Sequence, residues 1–74
     1  MKKGAIALNA NELRVELARV GFSVPQIADK IGISKKAFYC KLEGSSEFKQ
    51  SEIRELKRLL SLSDTRVSEI FFAG

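Results

Sequence analysis

The fold is most constrained by the twenty residues 24–43, which read VPQIADKIGISKKAFYCKLE. Apolar residues recur at helical spacing on both sides of Ile31-Gly32-Ile33. Glycine adopts left-handed backbone conformations without a Cβ clash, so Gly32 predicts the end of one helix and a tight turn into the next. The segment therefore predicts two short amphipathic helices joined at Gly32.

Capping residues mark the start of both predicted helices. Ser23 and Gln26 have the spacing of a capping box, in which each side chain accepts the other residue's backbone N–H. Pro25 falls in the first turn, where its missing N–H costs little. Ser34 is placed to cap the second helix. The apolar faces expected to pack together are Ile27, Ala28 and Ile31 in the first helix and Phe38 and Leu42 in the second.

Three further helices are predicted around this pair. The first is capped by Asn9 or Asn11 and ends at Gly21, and Leu13, Leu17 and Val20 recur in it at helical spacing. A later one starts at Ser51, with Ile53, Leu56, Leu59 and Leu60 on its apolar side, after a loop that Phe48 anchors to the core. The last starts at Ser63-Asp64 and contains Val67, Ile70 and Phe71.

Strand signals are missing from the sequence, which has no alternating apolar run and no hairpin turn. The predicted fold class is therefore all-α, with five helices and short loops. The chain has 74 residues, the size of one small domain. We expect residues 1–8 to form a flexible N-terminal arm and residues 9–74 to form the domain.

Composition narrows the functional classes. Lysine and arginine outnumber acids 13 to 9, giving a net charge of +4 that favours a polyanionic partner without identifying one. Histidine is absent and Cys40 is the single cysteine, so zinc-finger spacing, imidazole catalysis and an internal disulfide are excluded. There is no paired-carboxylate site and no glycine-rich phosphate loop. We expect a protein that is not an enzyme and needs no metal or cofactor.

The lengths of the apolar runs and the number of cysteines also indicate where the protein is located in the cell. No apolar run approaches the ~20 residues that a membrane-spanning helix needs. A single cysteine fits a reducing compartment. We therefore expect a cytoplasmic protein without a membrane partner.

The second helix of the pair has a cationic polar face. It carries Lys35, Lys36 and Tyr39, with almost no acidic residue. A helix braced by its neighbour across a glycine turn, with such a face outward, has the geometry that enters the major groove of DNA. Lysine can donate there to the acceptor atoms of guanine. The pattern predicts binding to duplex DNA.

Residues 24–44 resemble the helix-turn-helix of phage Cro and lambda-type repressors, and more broadly the xenobiotic-response-element family of bacterial regulators. The matching residues are Ile27-Ala28, Ile31-Gly32-Ile33-Ser34, Phe38 and Gly44. The five-helix layout of residues 9–72 is also similar to these repressor domains. The resemblance implies a lambda repressor-like fold with its helix-turn-helix at residues 24–43. It also implies a transcriptional regulator that binds specific duplex sequences in a bacterial cell or a phage-infected host.

Two positions depart from the usual pattern of that family. Val24 stands where many members carry glutamine, and Gln26 lies two residues later. Lys41 stands where many members keep an apolar residue, so we expect Leu42 to provide the packing instead. Such a change would rotate the second helix slightly.

The resemblance also implies roles for individual side chains. Lys35, Lys36 and Tyr39 correspond to positions that face base edges, although phosphate contact or simple solvation is the alternative for the lysines and partial burial for the tyrosine. Gln26 has two alternative interpretations: it takes part in the capping box, or it contacts a phosphate or a base. The residues that correspond to phosphate-binding positions are Ser34, Lys41, Ser45, Ser46 and Lys49.

Ile70, Phe71 and Phe72 end the apolar pattern of the last helix. Three consecutive large apolar residues cannot all face inward from one short helix, so we expect an exposed aromatic and, through this segment, a homodimer. A dimer would suit a palindromic operator, and the function expected is that of a phage or prophage repressor. The alternatives are a missing C-terminal segment that docks here, or an adaptor or antitoxin-like module whose main partner is a protein.

Overall fold

The computed structural model describes residues 8–72, which form five α-helices and no strand. The all-α class predicted from the sequence is confirmed for this part of the chain. The proposed arm, apart from Leu8, and the last two residues lie outside the described range. The helices are α1 (Ala10–Val20), α2 (Val24–Ile31), α3 (Lys35–Glu43), α4 (Gln50–Leu60) and α5 (Asp64–Phe71).

The first three helices begin at side-chain caps. The Asn9 carboxamide oxygen accepts the Glu12 N–H at 3.3 Å, so Asn9 rather than Asn11 caps α1. At α2, Ser23 Oγ accepts the Gln26 N–H at 3.3 Å and Gln26 Oε1 accepts the Ser23 N–H at 2.9 Å. This reciprocal pair is the predicted capping box. Ser34 Oγ likewise accepts the Ala37 N–H at 3.0 Å and caps α3.

The prediction that Ser51 caps the fourth helix is wrong. Helix α4 begins one residue earlier, at Gln50, and Lys49 occupies the cap position. Lysine has no side-chain acceptor, and the local bond instead joins the Lys49 backbone N–H to Glu52 Oε1 at 2.8 Å. At α5 the prediction holds, because Ser63 Oγ accepts the Arg66 N–H at 3.1 Å.

The turn between α2 and α3 depends on Gly32. Its φ of 82° lies in the left-handed region that glycine tolerates best. The Gly32 N–H donates to the Asp29 carbonyl at 3.1 Å, and the Ile33 N–H donates to the Ala28 carbonyl at 3.0 Å. These bonds close the end of α2 and let α3 begin at Lys35, after three intervening residues. The α2–α3 unit predicted from the sequence is present.

The core draws on all five helices. Helix α2 packs against α3 and α4, while α1 packs against α4 and α5. The loop residue Phe48 contacts Phe38 and Phe71 edge-on, with ring centroids 5.4 and 5.6 Å away, and so anchors its loop as predicted. The buried apolar residues are Leu13, Leu17, Ile27, Ala28, Phe38, Leu42, Leu56, Leu60, Leu62, Ile70 and Phe71.

At both ends of the described chain, the structure differs from a prediction. Leu8 was predicted to belong to the free arm, yet it packs against the core. Ile70 and Phe71 were predicted to help form a dimer contact, but both are buried inside their own domain. Their side chains hold α5 in place and are not available to a partner. Phe72 is 41% exposed and remains the aromatic residue that this segment presents to its surroundings.

Candidate nucleic-acid interface

One face of α3 is anchored in the core and the opposite face is open. Phe38 is completely buried, in the same cluster as Ile27 and Ala28 of α2. Helical geometry places residues three and four apart on one side, so Tyr39 lies one turn beyond both Lys35 and Lys36. All three of these side chains are exposed, Tyr39 to 38%. The exposed face therefore presents two ammonium groups and one phenol.

Neither lysine is neutralised by a carboxylate in residues 8–72. The salt bridges of this part of the chain engage Arg19, Lys41, Lys57, Arg58 and Arg66. Lysines at the start of a helix also oppose its dipole, so Lys35 and Lys36 gain no local stabilisation there. Their charge is consequently available to a ligand.

The predicted phosphate-binding hydroxyls occupy two different settings. Ser34 is exposed, but its oxygen already accepts the Ala37 N–H, which leaves the hydroxyl hydrogen free to donate. Ser45 is exposed just beyond α3, and its backbone N–H is bound to the Cys40 carbonyl at 2.9 Å. The Ser45 side chain makes no hydrogen bond within the described residues. Both hydroxyls can therefore donate outward at the two ends of α3.

Gln26 has one role settled by geometry. Its oxygen accepts the Ser23 N–H, so the carboxamide is turned with its NH2 group away from that bond. The side chain is exposed, and the NH2 group keeps both hydrogens for an outside acceptor. The capping role and an external contact are therefore compatible.

The prediction that Lys41 binds phosphate is wrong. Lys41 is only 8% exposed, and its ammonium donates to the Glu47 carbonyl at 2.9 Å. The same ammonium lies 3.3 Å from Glu52 Oε1 and 5.7 Å from the centroid of the Phe48 ring. Its donors are engaged within the protein, so we remove it from the interface. Leu42 is buried beside it, as expected.

Two further exposed cations adjoin this region: Lys49, which was expected to contact phosphate, and Lys30, which the sequence did not single out. Lys49, at the end of the loop after α3, and Lys30, in the last turn of α2, are exposed and form no salt bridge in residues 8–72. For Lys30, the available signal was the absence of an acidic residue three or four positions away. Lys49 has Glu52 three residues on, but Glu52 is turned inward to Lys41, which only the fold reveals.

The fold and this surface define a small all-α protein with an exposed cationic helix. No protein-family model, curated protein or solved structure matches the chain. Across residues 8–72, no helix has both the length and the apolar character required to cross a membrane.

Proposed function

We propose that this protein is a sequence-specific regulator of transcription that binds double-stranded DNA, and that α2 and α3 act as the helix-turn-helix of a lambda repressor-like domain. The role that suits a domain of this size is that of a phage or prophage repressor, which blocks a promoter by occupying its operator. One observation carries the proposal: Lys35, Lys36 and Tyr39 are exposed, without acidic partners among residues 8–72, on a helix whose opposite face is buried.

The physical case rests on shape and charge together. An α-helix fits the major groove, and phosphates flank that groove on both sides. Lys35 and Lys36 at the start of α3 would donate to guanine acceptors, while Tyr39 would contact a thymine methyl group or a phosphate. Hydroxyls at either end of the helix, from Ser34 and Ser45, would bind the backbone and fix the register.

Gln26 and Lys49 would extend the backbone contacts. The NH2 group of Gln26 suits a phosphate oxygen, which only accepts hydrogen bonds. Lys49 supplies a charge on the far side of the loop that follows α3. With Lys41 withdrawn from the interface, the proposed contact residues are Gln26, Ser34, Lys35, Lys36, Tyr39, Ser45 and Lys49.

Two copies would be needed for tight binding. A single small module buries a limited area on DNA, whereas a dimer places two recognition helices about 34 Å apart on half-sites one helical turn apart. Phe72 is the aromatic residue exposed at the end of α5 and is our candidate for the contact between copies. The operator would then be palindromic.

A protein-interaction module is the second candidate, favoured by the exposure of Phe72 together with Val15 and Val20. Those residues would bind a protein partner, and the cationic face would be solvated. The two candidates differ in what they predict for a duplex at low salt.

Selection from random duplex DNA, followed by sequencing and a gel shift, tests the proposal. We expect enrichment of one sequence with two-fold symmetry and a shift at micromolar protein that weakens steeply as salt rises. Enrichment without symmetry would support DNA binding but reject the dimer. Failure to shift any duplex at low salt would reject the DNA-binding function and favour the interaction module.

A further inference from the structure

A buried ion pair lies directly behind the proposed interface, between the last turn of α3 and the first turn of α4. Lys41 and Glu52 are each 8% exposed, and Lys41 Nζ lies 3.3 Å from Glu52 Oε1. Every buried side-chain nitrogen and oxygen in residues 8–72 has a hydrogen-bond partner. Besides each other, Lys41 and Glu52 bind backbone groups of the loop between the two helices.

Both members of the pair bind the loop that consists of residues 44–49. Lys41 donates to the Glu47 carbonyl at 2.9 Å, and Glu52 accepts the Lys49 N–H at 2.8 Å. Earlier in the loop, the Gly44 and Ser45 N–H groups return to the carbonyls of α3. Beyond Ser45, the side-chain hydrogen bonds to the loop come from the ion pair, and the Lys49 carbonyl also accepts the Ile53 N–H of α4 at 2.9 Å. The Phe48 ring, 5.7 Å from the Lys41 ammonium, supplies the apolar part of the anchor.

We propose that Lys41 and Glu52 are positioning residues for DNA recognition, which lock the loop to α3 so that its contacts and those of α3 keep one register. This inference rests on the proposed function. Ser45 and Lys49 are exposed on the loop, while Lys35 and Lys36 are exposed on the helix. A loop that moved relative to α3 would still attract phosphates, but it would no longer select the duplex on which all the contacts coincide.

Stability alone does not account for the pair. A buried ion pair contributes little net stability compared with apolar residues of similar volume, because desolvation opposes the attraction. The hold of α3 on the core already comes from Phe38 and Leu42, both buried. The distinct contribution of Lys41 and Glu52 is to fix where the loop lies, and that contribution appears in discrimination between sequences.

The test uses the double variant Lys41→Met/Glu52→Met, which leaves neither an uncompensated buried charge nor a side-chain acceptor for the Lys49 N–H. Its matched control is Lys57→Met/Asp64→Asn, which removes a similar pair at the exposed junction of α4 and α5. Binding of each protein is measured to the duplex that the unmodified protein selects and to a scrambled duplex of equal length. Amide hydrogen exchange reports whether the loop is still held.

We expect the Lys41 and Glu52 variant to remain folded while its Lys49 amide exchanges at least ~10-fold faster, since opening the loop exposes that group. Affinity for the selected duplex falls about ten-fold, comparable to one mismatched base pair, while affinity for the scrambled duplex stays within about two-fold. The control variant keeps both affinities. If that variant does not fold, Lys41→Met/Glu52→Gln is used, which retains an acceptor for the Lys49 N–H and should give a smaller loss in the same direction.

The outcomes separate this inference from the function beneath it. A folded variant that discriminates as well as the unmodified protein overturns the positioning role and leaves the DNA-binding function intact. An equal loss on both duplexes also overturns it, since that result indicates general damage to the interface. If the unmodified protein binds no duplex, the proposed function fails and the role in discrimination fails with it, whatever the exchange rates show about the loop.

Discussion

Arg66 on α5 binds Glu16 on α1, with 2.8 Å between Nε and Oε2, and so joins residues 50 positions apart in the chain. The same guanidinium also pairs with Glu12 and Glu69. Glu16 is buried, and its other oxygen accepts a hydrogen bond from Arg19 at 2.6 Å. Arg66 first, and Arg19 second, hold the pKa of the Glu16 carboxyl below its ordinary value of 4.5. The α1–α5 contact therefore depends on an ionised carboxylate.

Acidification is expected to destabilise the domain through this carboxylate. Because the pKa of Glu16 is lower in the folded state, the unfolded chain takes up the proton more readily. The stabilisation is complete well above pH 4.5 and is lost as the pH falls through the lower, folded value. Free energies of unfolding from urea titrations should be nearly constant between about pH 5.5 and 7 and decline below about pH 4.5.

The substitution Glu16→Gln measures how much of this acid sensitivity comes from Glu16. The variant should lose roughly 2 kcal/mol near neutral pH, typical of a hydrogen bond to a charged group, and its stability should depend less on acid. Asp64→Asn is the control, because the pKa of Asp64 is also lowered, by Lys57, but in an exposed pair. Equal acid sensitivity in Glu16→Gln and the unmodified protein would show that other carboxylates dominate.

The helix ends were predictable because their chemistry is local. Ser23 and Gln26 stand three residues apart, and the hydrogen bonds between them need only the backbone between them to be helical. The left-handed turn at Gly32 follows from the same short stretch of chain. The periodicity of apolar residues then identified the faces that pack.

The errors at Lys41 and Ser51 have a different origin, the ion pair between Lys41 on α3 and Glu52 on α4. Lys41 is a long cation that sequence patterns place in solvent, yet its aliphatic stem is buried and its ammonium reaches Glu47 and Glu52. The inward turn of Glu52 also gives α4 a start that Ser51 does not provide. No rule based on nearby residues identifies either arrangement. The exposed residues Lys35, Lys36 and Tyr39 were foreseen because the buried face of α3 was foreseen.

Two substitutions at helix ends should change stability in opposite directions. Ser61 has φ of 54°, a left-handed conformation at the end of α4 that is strained for any residue with a Cβ. Ser61→Gly should relieve the strain and stabilise the fold by about 0.5–1 kcal/mol, after allowing for the greater freedom of glycine in the unfolded chain. Urea titration measures the gain, and an unchanged or lower midpoint would contradict it.

Gly32→Ala is the reverse experiment. A Cβ built at Gly32 meets nothing within 4 Å, so any loss reflects the backbone conformation alone. At φ of 82° that loss should be about 1–2 kcal/mol. A neutral result would mean that the turn relaxes to a conformation that alanine accepts.

Lys35→Ala and Lys36→Ala distinguish base contacts from phosphate contacts. If a lysine contacts guanine, its replacement should cost about 1–3 kcal/mol of binding free energy on the selected duplex and relax the preference at one base pair. If a lysine binds phosphate, its replacement should weaken binding to all duplexes alike and lower the slope of affinity against salt concentration by about 1. Fluorescence anisotropy at several salt concentrations, on selected and scrambled duplexes, gives both quantities.

The matched control for these variants is Lys57→Ala, which removes the same charge from a lysine paired with Asp64. It should change affinity by less than about two-fold, because only the general attraction is reduced. If both α3 variants bind as tightly as the unmodified protein, α3 is not the helix that contacts DNA.

Gln26→Glu separates the two roles assigned to that side chain. Glutamate accepts the Ser23 N–H as well as glutamine does, and a negative charge in the first turn suits the helix dipole, so stability should be unchanged or slightly higher. The substitution replaces an outward NH2 donor by a charged oxygen. If that donor faces a phosphate, affinity should fall about ten-fold on every duplex, selected or scrambled.

The control is Thr65→Glu, which introduces the same charge into the exposed first turn of α5, away from α3. Any loss shared by both variants reflects net charge alone, and the excess in Gln26→Glu measures the local contact. A loss confined to the selected duplex would instead place Gln26 against a base, because only base contacts depend on sequence. Equal affinities for Gln26→Glu and Thr65→Glu would leave Gln26 with its capping role and remove it from the interface.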